Sequence, residues 1–194
     1  MRLIEAAETL FIRKGLDDTS VDEISEMAGY SRGAFYSNFE NKEQVLLSLI
    51  DSVVSCGGPQ VPKALDDIFQ QISGPERIAA VREWFSNQWR RNDFIALRME
   101  FSRWAAKDRS MRKHLAKLWR QELETYTGSV GRYFQVTDAV PADRPEVVAL
   151  ILLAVAHGLG TLAIDTGPEW QQAYTEAARL VFDRMTTTQI SQIG

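Results

Sequence analysis

Residues 20–39 read SVDEISEMAGYSRGAFYSNF, and the fold turns on how this stretch is parsed. Ser20-Val-Asp-Glu23 has the spacing of a capping box, in which a serine hydroxyl and a glutamate carboxylate satisfy two free backbone N–H groups at a helix start. Val21, Ile24 and Met27 or Ala28 then fall on one apolar face. Gly29-Tyr30-Ser31 follows as a tight turn, with Gly29 supplying a left-handed backbone at little steric cost. Ser31 is placed to cap a short third helix that carries Phe35 and Phe39 one turn apart. Two helices so joined have the spacing of a helix-turn-helix. Such a pair lays its second helix in the DNA major groove while the first crosses the backbone. Ser31, Arg32, Gly33, Ala34, Tyr36, Ser37 and Asn38 are left for the outer face, and they suit that docking. Arginine reads guanine with two parallel hydrogen bonds. Glycine and alanine permit close approach, and Tyr, Ser and Asn donate to phosphate. No acidic residue occurs from Ala28 to Phe39.

Outward from this stretch the chain is helical in both directions, with strand signals nearly absent. Leu3, Ala7, Leu10 and Phe11 make the apolar face of a first helix ending before Gly15. Asn41-Lys-Glu-Gln44 is another capping-box pattern and opens a longer fourth helix, with Val45, Leu46, Leu49, Ile50 and Val53 on its inner side. Ser55-Cys-Gly-Gly-Pro59 reads as the clearest break in the chain. Beyond it, Val61, Leu65, Ile68, Phe69 and Ile72 form another face, ended by Gly74-Pro75. Further helices are predicted from Pro75 to about Arg91 and over 93–107, 109–135, 145–164 and 168–187. The expected fold is all-α: an N-terminal three-helix helix-turn-helix head over 1–50 and a larger helical body over 51–194.

The 194 residues carry 22 basic and 26 acidic side chains, a formal charge of −4. That balance argues at first sight against nucleic acid as a partner. Its distribution is uneven: 1–50 hold five basic and nine acidic residues, so −4, whereas the remainder holds 17 of each. Within the remainder, 77–120 hold twelve basic and four acidic residues. One cysteine, Cys56, excludes an internal disulfide, and two histidines leave no Cys/His metal cluster. No phosphate loop, cofactor motif or secretory leader is found, which points to a cytoplasmic protein without cofactor or metal. Val147–Ile164 is free of formal charge. It lacks Lys/Arg anchors at its ends, so it is expected to be a helix buried on all sides at a subunit interface rather than a membrane span.

The stretch Leu3–Leu49 resembles the DNA-binding domain of TetR-family transcriptional regulators. The residues that carry the likeness are Ile4-Glu-Ala-Ala7, Leu10-Phe11, Gly15, Thr19-Ser-Val-Asp-Glu-Ile24, Ala28-Gly29, Ser31-Arg-Gly-Ala-Phe-Tyr36, Asn38-Phe39 and Asn41-Lys-Glu43. The resemblance implies phosphate contacts from Thr19, Ser20, Tyr36 and Lys42, and a base-reading helix over Ser31–Ser37. Asn38 departs from the histidine often found there and cannot titrate. The family often has a basic arm before the first helix; here that helix begins almost at Met1, so either the arm is absent or the sequence starts late.

For the body the resemblance implies an architecture: central helices around an effector cavity, and two last long helices that pair with those of a second copy. The candidate cavity residues are Trp84, Phe85, Trp89, Phe101, Trp104, Trp119, Tyr126 and His157. Each aromatic singly is what a core requires, but as a group they suit a flat or apolar small molecule. His157 is either a satisfied core or interface histidine or a polar contact to the effector. The candidate dimer residues are Leu152, Val155, Gly158, Leu159, Leu162, Tyr174, Ala178 and Val181. The expected function is a ligand-responsive, homodimeric repressor of a palindromic operator on double-stranded DNA. A helical adaptor without DNA binding is the alternative, favoured by the acidic head. An enzyme is disfavoured, because neither histidine sits in a nucleophile motif.

Overall fold

The computed structural model describes residues 2–90, 92–137 and 139–186, with the side chains of 53–60 and Asn92 outside that description. Cys56 therefore falls outside the described side chains. Nine α-helices are present among the described residues: α1 (Arg2–Lys14), α2 (Val21–Ala28), α3 (Arg32–Tyr36), α4 (Lys42–Gln71), α5 (Glu76–Ser86), α6 (Asn92–Lys107), α7 (Arg109–Val136), α8 (Pro145–Asp165) and α9 (Gln171–Met185). Single 3-10 turns at Gln88–Arg90 and Pro168–Trp170 precede α6 and α9. No strand occurs among the described residues.

Local rules decide the starts of α2, α3 and α4. Ser20 Oγ accepts from the Glu23 N–H and the Glu23 carboxylate accepts from the Ser20 N–H, so the capping box is complete. Gly29 ends α2 at φ 73°, and its N–H returns to carbonyls of the last turn. Ser31 caps α3 through the Ala34 N–H. Asn41 Oδ1 accepts from the Gln44 N–H at 2.8 Å, but the Gln44 side chain reaches Glu40 N rather than Asn41 N, so only half of the expected box forms.

The predicted break at Ser55–Pro59 is not one, since α4 runs through it for 30 residues. The apolar stripe explains why: Ile50 and Val61 are eleven residues apart, about three helical turns, and both are buried. The two faces read separately in the sequence are in phase, and packing overrides the poor helix propensity of Gly and Pro. The helix read from Pro75 to Arg91 is shorter than expected, ending at Ser86 with Asn87 as its cap.

The chain forms two compact units, each of two segments: 1–56 with 93–118, and 57–92 with 119–194. In the first, Phe11, Ile24, Phe35, Val45, Leu46 and Ile50 are essentially inaccessible to solvent, as are Ile95, Leu97 and Phe101 of α6. Each such side chain contributes about 1.5–3 kcal/mol of transfer free energy. Three α6 residues at i, i+3 and i+7 hold the loop after α1. The Glu100 carboxylate accepts from the Leu16 N–H at 2.9 Å, while Arg103 and Lys107 lie 3.9 and 3.3 Å from the Asp17 carboxylate.

The second unit has an aromatic core. Phe182 of α9 packs on Phe85 and Tyr133 at 5.7 and 5.8 Å between ring centres. Val148, Leu152 and Ala156 of α8 close the same core. Arg77 ties off the end of α4 by donating to the carbonyls of Phe69 and Ile72, and it also reaches Val136. Helix α8 is long and apolar enough to cross a membrane by length and composition, and a third of its most apolar window is buried. The expectation of burial on all sides is thus not met within one chain. A helix touches its own core along one stripe, here 148, 149, 152, 153, 156 and 160, and the opposite stripe of Leu150, Gly158 and Leu162 stays exposed.

Candidate nucleic-acid interface and effector cavity

Helices α2 and α3 and the turn between them present one continuous outer surface. Phe35 is buried and fixes α3 from below, with Phe39 packed on it at 5.8 Å although Phe39 lies beyond the helix end. Ser31, Arg32, Gly33, Tyr36, Ser37 and Asn38 are all exposed and Ala34 is half-buried. This brings together on one face seven residues expected to meet DNA. The Ser37 hydroxyl donates to Gly33 O and the Asn38 amide to Ala34 O, which tightens the short helix past its last regular turn. Arg32 is held twice: Nη1 donates to Asp22 Oδ2 at 3.0 Å, and the guanidinium stands 5.7 Å from the Tyr36 ring.

Two residues expected at phosphates are engaged elsewhere. Thr19 is 2% exposed, and its hydroxyl donates to Gly15 O at 2.7 Å. Half-buried Lys42 donates to the carbonyls of Leu16, Asp17 and Thr19 at 2.8, 3.2 and 3.0 Å, one acceptor for each ammonium proton. These are bonds that hold the α1–α2 loop to the start of α4. Ser20 is exposed, though its hydroxyl is committed to the cap. The sequence pattern did not single out Met27 and Tyr30 for this surface, yet they are 46% and 45% exposed at the end of α2 and in the turn. Their signal was a large apolar residue on the solvent side of a short amphipathic helix and an aromatic at a turn.

The charge of the head is arranged around this face. Lys14 and the Ser20 N–H and hydroxyl stabilise the Glu23 carboxylate and hold its pKa down to about 2. Lys107 and Arg103 draw the Asp17 carboxyl below its ordinary value. Two of the nine acids are thereby neutralised locally by ion pairs.

In the second unit an apolar cavity of about 40 Å³ lies among Val81, Trp84, Phe85, Tyr126, Tyr133 and Phe182, with Ser129 and Thr186 also at its wall. Trp84, Phe85 and Tyr126 were expected there. Trp89 is instead buried against Tyr174, 5.5 Å between rings, and is not part of the lining. Phe101 belongs to the core of the first unit. Trp104 lines a separate polar cleft there with Gln44, Asp108 and His114. Half-buried Trp119 also lies off the cavity wall. His157 stands 4.0 Å from Glu122, a carboxylate only 8% exposed in its side chain, and neither lines the cavity. The hydroxyl of Tyr133 is buried, and burial pushes its pKa up against the opposing influence of Thr186 and Thr137.

The residues expected at a dimer contact divide in two. Leu152, Tyr174 and Ala178 point into the chain's own core. Gly158 and Leu162 are exposed, and Val155, Leu159 and Val181 are half-buried. The apolar outer face is carried by Leu150, Leu162 and Leu180, which are 53%, 50% and 60% exposed.

Residues 3–49 match the family described as bacterial regulatory proteins, tetR family. The HTH-type transcriptional regulator TtgR of Pseudomonas putida is 42% identical over 52 residues, 27% of this chain and 25% of its own. The chain thus spans about a quarter of the length of that curated relative. Along nearly the whole chain the fold is similar to that of Escherichia coli NemR in its reduced form, with a TM-score of 0.77 and 18% identity over 96% of this chain and 97% of the other. It is similar also to FadR of Bacillus subtilis in complex with stearoyl-CoA, with a TM-score of 0.68 and 17% identity over 97% and 98%. The match to the tetR family of bacterial regulatory proteins is thus carried by the head, residues 3–49, while the all-helical fold of nearly the whole chain is similar to that of the solved structures.

Proposed function

We propose that this protein is a homodimeric, cytoplasmic transcriptional regulator that binds a palindromic operator through α2 and α3 and is released by a small apolar effector. The observation that carries the reading is the outer face of 31–38: exposed, free of acids, and set on a helix pair whose turn and both caps are formed. Ser31, Arg32, Gly33, Ala34, Tyr36, Ser37 and Asn38 are the base- and backbone-reading set, with Ser20 at the rim. The exposed leucines of α8 and α9 support pairing with a second copy, because two leucine-rich stripes bury each other's apolar area. The complex of the similarly folded FadR with stearoyl-CoA supports response to a small molecule. The effector acts only through a difference in its affinity for two states. The cavity holds about 40 Å³, well below the several hundred typical of a ligand site, so a larger effector must part the aromatic walls. That opening is the structural change the effector selects. Helices α4 and α7 each contribute to both units and are the covalent route for it.

Selection from a random pool of duplex DNA, followed by an electrophoretic shift, tests the reading. A palindrome should emerge and bind with dimer stoichiometry. Recovery of no sequence, with the protein folded, favours the adaptor instead.

A further inference from the structure

Arg32 is the one basic residue between Ala28 and Phe39, so whatever positive charge α3 offers to DNA passes through it. Its guanidinium is already engaged by a residue of the other helix, Asp22, ten positions earlier. The pair is two-thirds exposed, with side-chain exposures of 62% and 63%. Tyr36 stands 5.7 Å away across the guanidinium. A guanidinium has five N–H donors in a rigid fork. Asp22 takes one, at Nη1, and the Tyr36 side chain engages the same guanidinium, which leaves donors of the fork beyond these two contacts. We infer that Asp22 is a positioning residue for Arg32 and sets how well the protein distinguishes its operator from other DNA.

This role rests on the DNA-binding reading and shows itself in the contrast between two encounters. At a matching guanine, Arg32 needs two parallel donors for O6 and N7. A guanidinium anchored at Nη1 and backed by the Tyr36 ring has them and loses little freedom on binding. At random DNA, Arg32 gains only by swinging to a phosphate, which means leaving Asp22. Asp22 then faces that phosphate as an uncompensated negative charge. One side chain therefore helps the specific complex and hinders the non-specific one. Asp18 beside it adds to the hindrance without touching Arg32.

The test uses the full-length protein, the duplex selected by the wild type, and a scrambled duplex of equal length. Asp22→Asn keeps the size of the side chain and removes its charge. It should lower affinity for the selected duplex about two- to fivefold and raise affinity for the scrambled one by a similar factor. The specificity ratio then falls about tenfold, with the melting curve showing a folded protein. In an Arg32→Ala background the same substitution should leave the ratio unchanged within twofold, which a merely structural role of Asp22 would not produce. A ratio within twofold of wild type for Asp22→Asn alone overturns the inference and leaves the DNA-binding reading standing. Failure of the wild type to select any sequence overturns both.

Discussion

At the scale of single residues, the legible features are those written within three or four positions. Ser20, Glu23, Gly29 and Ser31 each act on backbone groups one turn away, and the structure forms every one of those bonds. Lys42 could not be read that way, because its three acceptors lie 23 to 26 residues earlier in sequence. The residue type that suits a phosphate also suits a set of loop carbonyls, and only folding decides between them. Lys42→Met keeps the stem and removes the donors. It should cost about 2 kcal/mol of stability in chemical denaturation, from the charge-assisted bonds lost. The salt dependence of DNA binding should stay the same, because no phosphate contact is lost. The carboxylate of Glu23 gives a pH signature. Its folded pKa, near 2, lies below the ordinary 4.5, so its contribution is complete above about 4.5 and disappears as pH falls toward 2. Thermal midpoints of the wild type and Glu23→Gln should differ at pH 6 and converge on acidification. A gap that persists unchanged at pH 2 contradicts the assignment.

At the scale of elements, the head was readable and the body was not. The order of helices followed from period and punctuation, and most ends fell within two residues of expectation. At 55–59 the phase of the apolar stripe on either side outweighs the helix-breaking tendency of Gly and Pro, so α4 is continuous. The cavity was half legible for a related reason. Trp84, Phe85 and Tyr126 meet at its wall, but Phe101 and Trp104 are claimed by the first unit, and composition cannot say which core an aromatic joins. Two predictions belong here. Gly29 sits at φ 73° with open space where a Cβ would be, so the penalty for a side chain is backbone strain alone. Gly29→Ala should cost about 1 kcal/mol and Gly29→Val more, by thermal denaturation, since a β-branched residue tolerates the left-handed region least. On the outer face of α8 and α9, Leu150→Glu with Leu180→Glu should turn a dimer into a folded monomer in sedimentation. A dimer that survives both charges places the interface elsewhere.

For the whole molecule, the −4 charge looked like a reason to exclude DNA. It is better read as a constraint on how DNA is bound. The acids lie on α1, on α2 and at the edges of the recognition face, two of them tied into pairs: Glu23 with Lys14, and Asp17 with Arg103 and Lys107. Among the described residues, few cations are left at that face to displace counterions. Affinity should then depend on specific contacts and dimer geometry, with a modest loss between 50 and 200 mM salt. The central claim is that a homodimer reads DNA through α3. Its most direct measurement is an anisotropy titration of the selected palindromic duplex with the wild type and with Arg32→Ala. The account predicts saturation at two protomers per duplex and a loss of about 5- to 100-fold for Arg32→Ala. Equal binding by a folded Arg32→Ala, or saturation by single protomers, would contradict it.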